Sequence, residues 1–173
     1  MGNPSKGQGI TNQQVTIRKP TLCEVLDFHH YLREEDLREI RDVGGMTPQQ
    51  SLVESWQVSK DNCFVAEHKD NGWICIWGCG PSETIGVGYP WLMATPEIEN
   101  IPMTFLRESK RWLEDVHKVY PIMTNVADER NGVHLKWLKW LGFSFVNRYQ
   151  NFGPGKVSVV QFARVSSCAM RSL

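Results

Sequence analysis

The chain has 173 residues, 41% of them hydrophobic and 22% charged, and its formal net charge is zero. That length builds one domain with a real core, and the charge balance gives no general pull toward nucleic acid or an anionic membrane surface. Basic residues are not clustered with aromatics, and no apolar run nears the roughly 18 residues of a membrane span, so neither nucleic acid nor membrane is expected as a partner.

Seven tryptophans are many for this length. They point to a deep core, a binding cleft or a partner surface. The five cysteines, Cys23, Cys63, Cys75, Cys79 and Cys168, are an odd set without framework spacing. With no secretory signal in the sequence, the expectation is a reducing compartment rather than export. Cys75 and Cys79 lack a second pair or a histidine cluster, so no metal site is expected. Gly2 lacks the Ser or Thr that myristoylation wants at position 6, where Lys6 stands.

Residues 1–14 are polar and rich in Gly, Asn and Gln. They read as an N-terminal arm that another protein chain would order. The folded domain is expected over 15–165, and 166–173 form a tail. "QVTIRKP" reads as a first strand ended by Pro20. The helical stretch that follows opens on Thr21 with Glu24 three residues on, a capping box. Its expected inward face is Leu22, Val25, Leu26, His29 and Leu32, with a break near "REED" and a second short helix. Thr47 with Pro48 starts a further helix.

"NCFVAEHKD" and "WICIWGCG" read as strands joined at Asn71-Gly72, a hairpin dipeptide. "GYPWLMAT" is a third strand. A long helix follows, with Phe105, Leu106, Ser109, Trp112, Leu113, Val116 and Tyr120 on one stripe. "IMTNVAD" is a strand and "RNGVHLKWLKWLGF" a helix. "SFVNRYQNF" and "KVSVVQFARV" are closing strands joined through Gly153-Pro154-Gly155. The mixed order predicts an α+β fold, with a mostly antiparallel central sheet of about seven strands and helices on both faces.

This element order resembles the GNAT family of N-acetyltransferases over roughly residues 15–165. Asn131, Trp137, Leu141, Gly142 and Phe143 stand on that family's spacing after a strand. A further likeness is to small GNAT-like proteins of short-tailed bacteriophages, which share a His-x-x-aromatic-Leu-Lys-x-x-Gly helix. The resemblance implies an acyl-CoA N-acyltransferase fold, with acetyl-CoA as cofactor if the protein is active and none otherwise. The phage likeness implies a role in virion structure or assembly, other protein chains as partners, and a location in host cytoplasm or virion.

The family's requirements are only partly met in the residues. Its pyrophosphate loop is Gly-rich, because backbone N–H groups at a helix start must approach phosphate closely. Here "TPEIENIPMTF" fits only at Pro96 and Glu97. The rest has no glycine, Pro102 removes a donor, and Glu99 brings negative charge, with Arg107 the nearest compensation. The family's proton-donating tyrosine would follow Trp137, where Leu138 stands; His134 or Tyr149 could substitute. Glu67 on the second strand is the candidate base, with His68 on its opposite face and Glu83 in a later loop as weaker ones.

The cofactor groove implied by the resemblance runs between Met93, Ala94 and Thr95 on one strand and Asn125 on another. Asn131 is either a pantetheine contact or simply a helix N-cap. The expectation is therefore a GNAT-fold protein with a degenerate cofactor loop and weak or absent catalysis. The alternative is an active acetyl-CoA-dependent N-acetyltransferase acting on a small-molecule or protein amine.

Overall fold

The computed structural model describes residues 15–100 and 103–167, with the backbone alone over 103–106. The expected arm, Ile101, Pro102, Cys168 and most of the tail lie outside the described residues, and so do the side chains of Phe105 and Leu106. Seven strands form one sheet: β1 (Val15–Arg18), β2 (Cys63–His68), β3 (Gly72–Pro81), β4 (Val87–Ala94), β5 (Ile122–Asp128), β6 (Ser144–Phe152) and β7 (Val157–Val165). Their order is β1-β2-β3-β4-β5-β7-β6. Five α-helices accompany them: α1 (Leu22–Asp27), α2 (Glu34–Glu39), α3 (Pro48–Ser59), α4 (Met103–His117) and α5 (Gly132–Trp140). This is the α+β architecture expected from the element order.

The pleat assigns the two faces. Val65, Ile76 and Met93 are matched across β2, β3 and β4 and pack with Val25, Phe28 and Leu52 from α1–α3. Their neighbours Phe64, Trp77 and Leu92 face the other way, where the Trp77 ring meets Trp112 of α4 edge-on at 6.3 Å. On that second face Leu113 and Val116 of α4, Leu138 of α5, Leu141 at its end, and Phe143 and Phe162 make the core.

Local signals set the helix starts. Thr21 and Thr47 both close capping boxes, with Glu24 and Gln50, and Pro48 sits in the first turn. The first helical stretch departs from its expected face. After Asp27 the chain tightens into a 3-10 turn over Phe28–Tyr31, so the 3.6-residue stripe does not continue. Val25 and Leu32 of that face are buried as expected, Phe28 is buried in addition, and Leu22 and Leu26 are exposed.

Every neighbouring strand pair is antiparallel except β4–β5. That parallel pair is laddered only at Val87–Ile122 and Gly88–Met123. Beyond these positions the strands separate. The β6–β7 hairpin tip closes against the turn that follows α2: Gly155 N–H donates to Asp42 O at 2.9 Å. Gly153 there has φ +66, and a Cβ on it would lie 2.5 Å from Val43 O. Glycine is the one residue that meets both demands. Among the described residues no helix is long and apolar enough to cross a membrane.

Candidate active site

The split between β4 and β5 opens a cavity of about 250 Å³. Trp91, Leu92 and Met93 all line it. Successive strand residues face opposite sides, so the cavity reaches both faces of the sheet. Toward α3 it meets Ser51 and Ser55; toward α4 and α5 it meets Trp112, Leu113, Leu138 and Leu141. The Asn125 side chain spans the split, its amide donating to Pro90 O at 3.0 Å.

The short helix α2 bridges the far end of the split. Arg33 N–H donates to Ala94 O at 2.9 Å, and Ala94 N–H donates to Asp36 Oδ2 at 2.8 Å. Three residues on, Glu39 Oε1 accepts from Asp128 N–H at 3.2 Å. Asp36 and Glu39 share one face of α2, so the first holds the β4 lip and the second the β5 lip. Arg33 grips Asp36 with two prongs, at 2.9 and 3.1 Å, and both side chains are about 6% exposed. Burial pushes the Asp36 carboxyl up, and the Arg33 guanidinium opposes that push.

Glu39 is the group whose chemistry stands out. Its side chain is 19% exposed, lines the cavity, and also accepts from Asn131 Nδ2 at 3.4 Å. Burial raises its carboxyl from an ordinary 4.5 to about 7, against the Asp128 and Asn131 hydrogen bonds and with help from the nearby charges of Asp36 and Asp128. A carboxylate poised near neutrality in a cavity suits proton transfer. His134 Nδ1 lies 4.0 Å from Glu39 Oε2. Burial, followed by the charge of Arg33, lowers the His134 imidazole to about 4, so it is uncharged at pH 7.

Leu92, His134 and Trp137 also line a second, outer cleft of about 600 Å³. Arg33, Ile98, Glu99, Val133, Lys136 and Trp140 complete its walls. The two spaces therefore share three lining residues.

The other expected site residues fall in two groups. Met93, Asn125, Asn131 and His134 gather around the split: the first two and His134 line the cavity, and Asn131 caps α5, accepting from His134 N–H at 3.3 Å. Ala94 is fully buried with both backbone groups bonded to the α2 segment. Thr95 turns away, its hydroxyl bonding Trp73 O at 2.8 Å. Glu67 is absent from the cavity lining and pairs with Arg18 at 3.0 Å, beside β1. His68 accepts from Asp70 and Asn71 N–H and braces the hairpin turn. Tyr149 sits on β6, its hydroxyl donating to Gln161 at 3.0 Å, and is absent from both cavities. Lys136 lines the outer cleft.

None of the seven tryptophans is exposed, and Trp77, Trp91, Trp112 and Trp137 line the cavity. Their burial fits the core and cleft expected of them. Cys75 and Cys79 are fully buried, and burial pushes the Cys79 thiol up to about 12, away from a metal-binding thiolate. Glu39 and Asp36 are not among the candidate residues expected from the sequence, where "REED" reads only as a break before a second short helix. A signal was there: Leu32, Asp36, Glu39 and Ile40 follow helical spacing, which puts two acids on an apolar face.

No family model and no curated protein matches the chain by sequence. Solved structures do match by fold. Spermidine N-acetyltransferase from Vibrio cholerae, solved in complex with CoA and spermine, is 15% identical, with a TM-score of 0.65 over 90% of this chain and 98% of its own. A GCN5-related N-acetyltransferase from Kribbella flavida is 12% identical, with a TM-score of 0.66 over 90% and 100%. Ribosomal-protein-S5-alanine acetyltransferase from Vibrio fischeri is 13% identical, with a TM-score of 0.65 over 93% and 98%. At such identities the likeness is one of fold: the chain has the acyl-CoA N-acyltransferase-like fold of the GNAT acetyltransferases.

Proposed function

We propose that the protein is an acyl-CoA-dependent N-acyltransferase with Glu39 as its proton-transfer group. The observation that carries this reading is a cavity-lining carboxylate raised to about 7 at the mouth of the β4–β5 split, in a cavity open to both faces of the sheet. The acyl donor would enter from the outer cleft past Leu92, His134 and Trp137, and the amine from the α3 side past Ser51 and Ser55. Lys136, exposed on the cleft wall, offers a cation for phosphate. Bound acyl-coenzyme A would supply a thioester, whose carbonyl carbon is open to amine attack.

The residues then have defined tasks. Ionised Glu39 takes the proton that the amine nitrogen must lose. The N–C bond forms, the C–S bond breaks, and protonated Glu39 can return the proton to the departing thiolate. Uncharged His134 keeps the wall beside Glu39 free of a second positive charge. The pair Arg33–Asp36 holds α2, and with it Glu39, across the split.

One observation favours the weaker reading. Ala94 N–H, a donor on the β4 lip, is already bonded to Asp36 and is not free for a ligand. With the glycine-free loop, that supports feeble catalysis and a role through contacts. The sequence likeness to phage proteins would make that role one in virion assembly with other protein chains.

Calorimetric titration with acetyl-CoA and coenzyme A separates the readings. Ligand at about 100 times its dissociation constant adds about 2.7 kcal/mol of stability. Glu39→Gln is expected to keep that binding and to lower kcat/KM by about 10²–10⁴. No heat and no thermal shift at millimolar ligand would remove the enzyme reading. Fixed-copy presence in purified virions would establish the assembly role.

A further inference from the structure

Resting on the acyltransferase reading, the geometry points to an acyl donor longer than acetyl, with a straight apolar chain of about four to eight carbons. The cavity has two sides with unlike linings, an arm toward α3 and an arm toward α4 and α5. The arm toward α3 carries hydroxyls, Ser51 and Ser55, and suits a polar acceptor. The arm toward α4 and α5 meets one hydroxyl, Ser109, and otherwise Trp112, Leu113, Leu138, Leu141 and Phe162. Leu113, Leu138, Leu141 and Phe162 are each at most 6% exposed, so this arm is sealed from solvent at its end.

An ammonium placed against Trp112, Leu113, Leu138, Leu141 and Phe162 would lose its water with no carboxylate among them to replace it, which is costly. An amine acceptor is therefore excluded from this arm, and a hydrocarbon tail is what it fits. The size argues the same way. A cavity of about 250 Å³ holds on the order of eight waters at about 30 Å³ each. That volume belongs to the whole cavity, and a two-carbon acyl group fills less of its apolar side than a longer chain would, whereas well-packed interiors leave few voids larger than a water. Leu138 matters doubly here. It is an apolar wall residue at the position where the family resemblance implies a polar, proton-donating tyrosine.

The test is a chain-length series on the full-length protein: acetyl-, butyryl-, hexanoyl- and octanoyl-CoA, with free coenzyme A as reference, read by calorimetry and by turnover on an amine panel. Each two methylenes buried are expected to raise kcat/KM about tenfold until the arm is full. Leu138→Trp and, independently, Leu113→Phe fill the arm. Each should turn the hexanoyl-to-acetyl ratio of kcat/KM from above one to below one. The ratio stays meaningful even if a variant is partly unfolded, and the second variant stands in if the first does not fold. Equal or better use of acetyl-CoA by the unaltered protein would overturn this inference alone. Failure of free coenzyme A and every acyl-CoA to bind would overturn the acyltransferase reading together with it.

Discussion

Replacing Glu39 by Gln tests the burial argument without reference to any reaction. The carboxyl rises from 4.5 to about 7 on folding, chiefly because α2, β5 and α5 strip its water. The folded state then binds more protons than the unfolded state between those values, so stability falls as pH rises through that window. At 1.36 kcal/mol per tenfold, the loss above pH 7 is about 3 kcal/mol. Gln is uncharged at every pH and keeps a carbonyl oxygen for the Asp128 amide. The Asn131 contact at 3.4 Å is forfeited, a constant cost of about 1 kcal/mol. Urea unfolding of both proteins at pH 4.5 and pH 8 isolates the effect, because all other titrating groups cancel in the difference. The variant should gain about 3 kcal/mol relative to the wild type on going from pH 4.5 to pH 8. A difference between the two proteins that moves by less than about 1 kcal/mol would refute the raised carboxyl, and the proton-transfer role with it.

Asp36→Ala should be the most damaging single change in α2, since it leaves the buried Arg33 guanidinium unpaired and the Ala94 amide without an acceptor. The expected loss is about 3–5 kcal/mol, read as a thermal midpoint lower by about 10 °C; an unchanged midpoint would mean the pair holds nothing. Gly153→Ala should lower the urea midpoint by at least about 1 kcal/mol equivalent, because the new Cβ meets Val43 O at 2.5 Å and the backbone sits at φ +66. A neutral result would show that the hairpin tip is free to move away from the end of α2.

The chain's local grammar was written in its residues. Thr21–Glu24 and Thr47–Gln50 cap helices, Asn71-Gly72 turns a hairpin, and the alternation of strand and helix periods orders the sheet, all through neighbours a few residues apart. The family likeness also lay in local spacing, from Asn131 to Phe143. What the tertiary structure alone decided was which groups lose water together. Glu67 looked like a strand carboxylate near a cleft, but the β1 edge pairs it with Arg18. Glu39 carries no local motif in the sequence, yet Asp128, Asn131 and His134, all more than 80 residues away, surround it. Desolvation depends on every atom packed around a group, whatever its distance along the chain. A perturbed acid is therefore visible only once the split, its bridging helix and the helix behind it are in place.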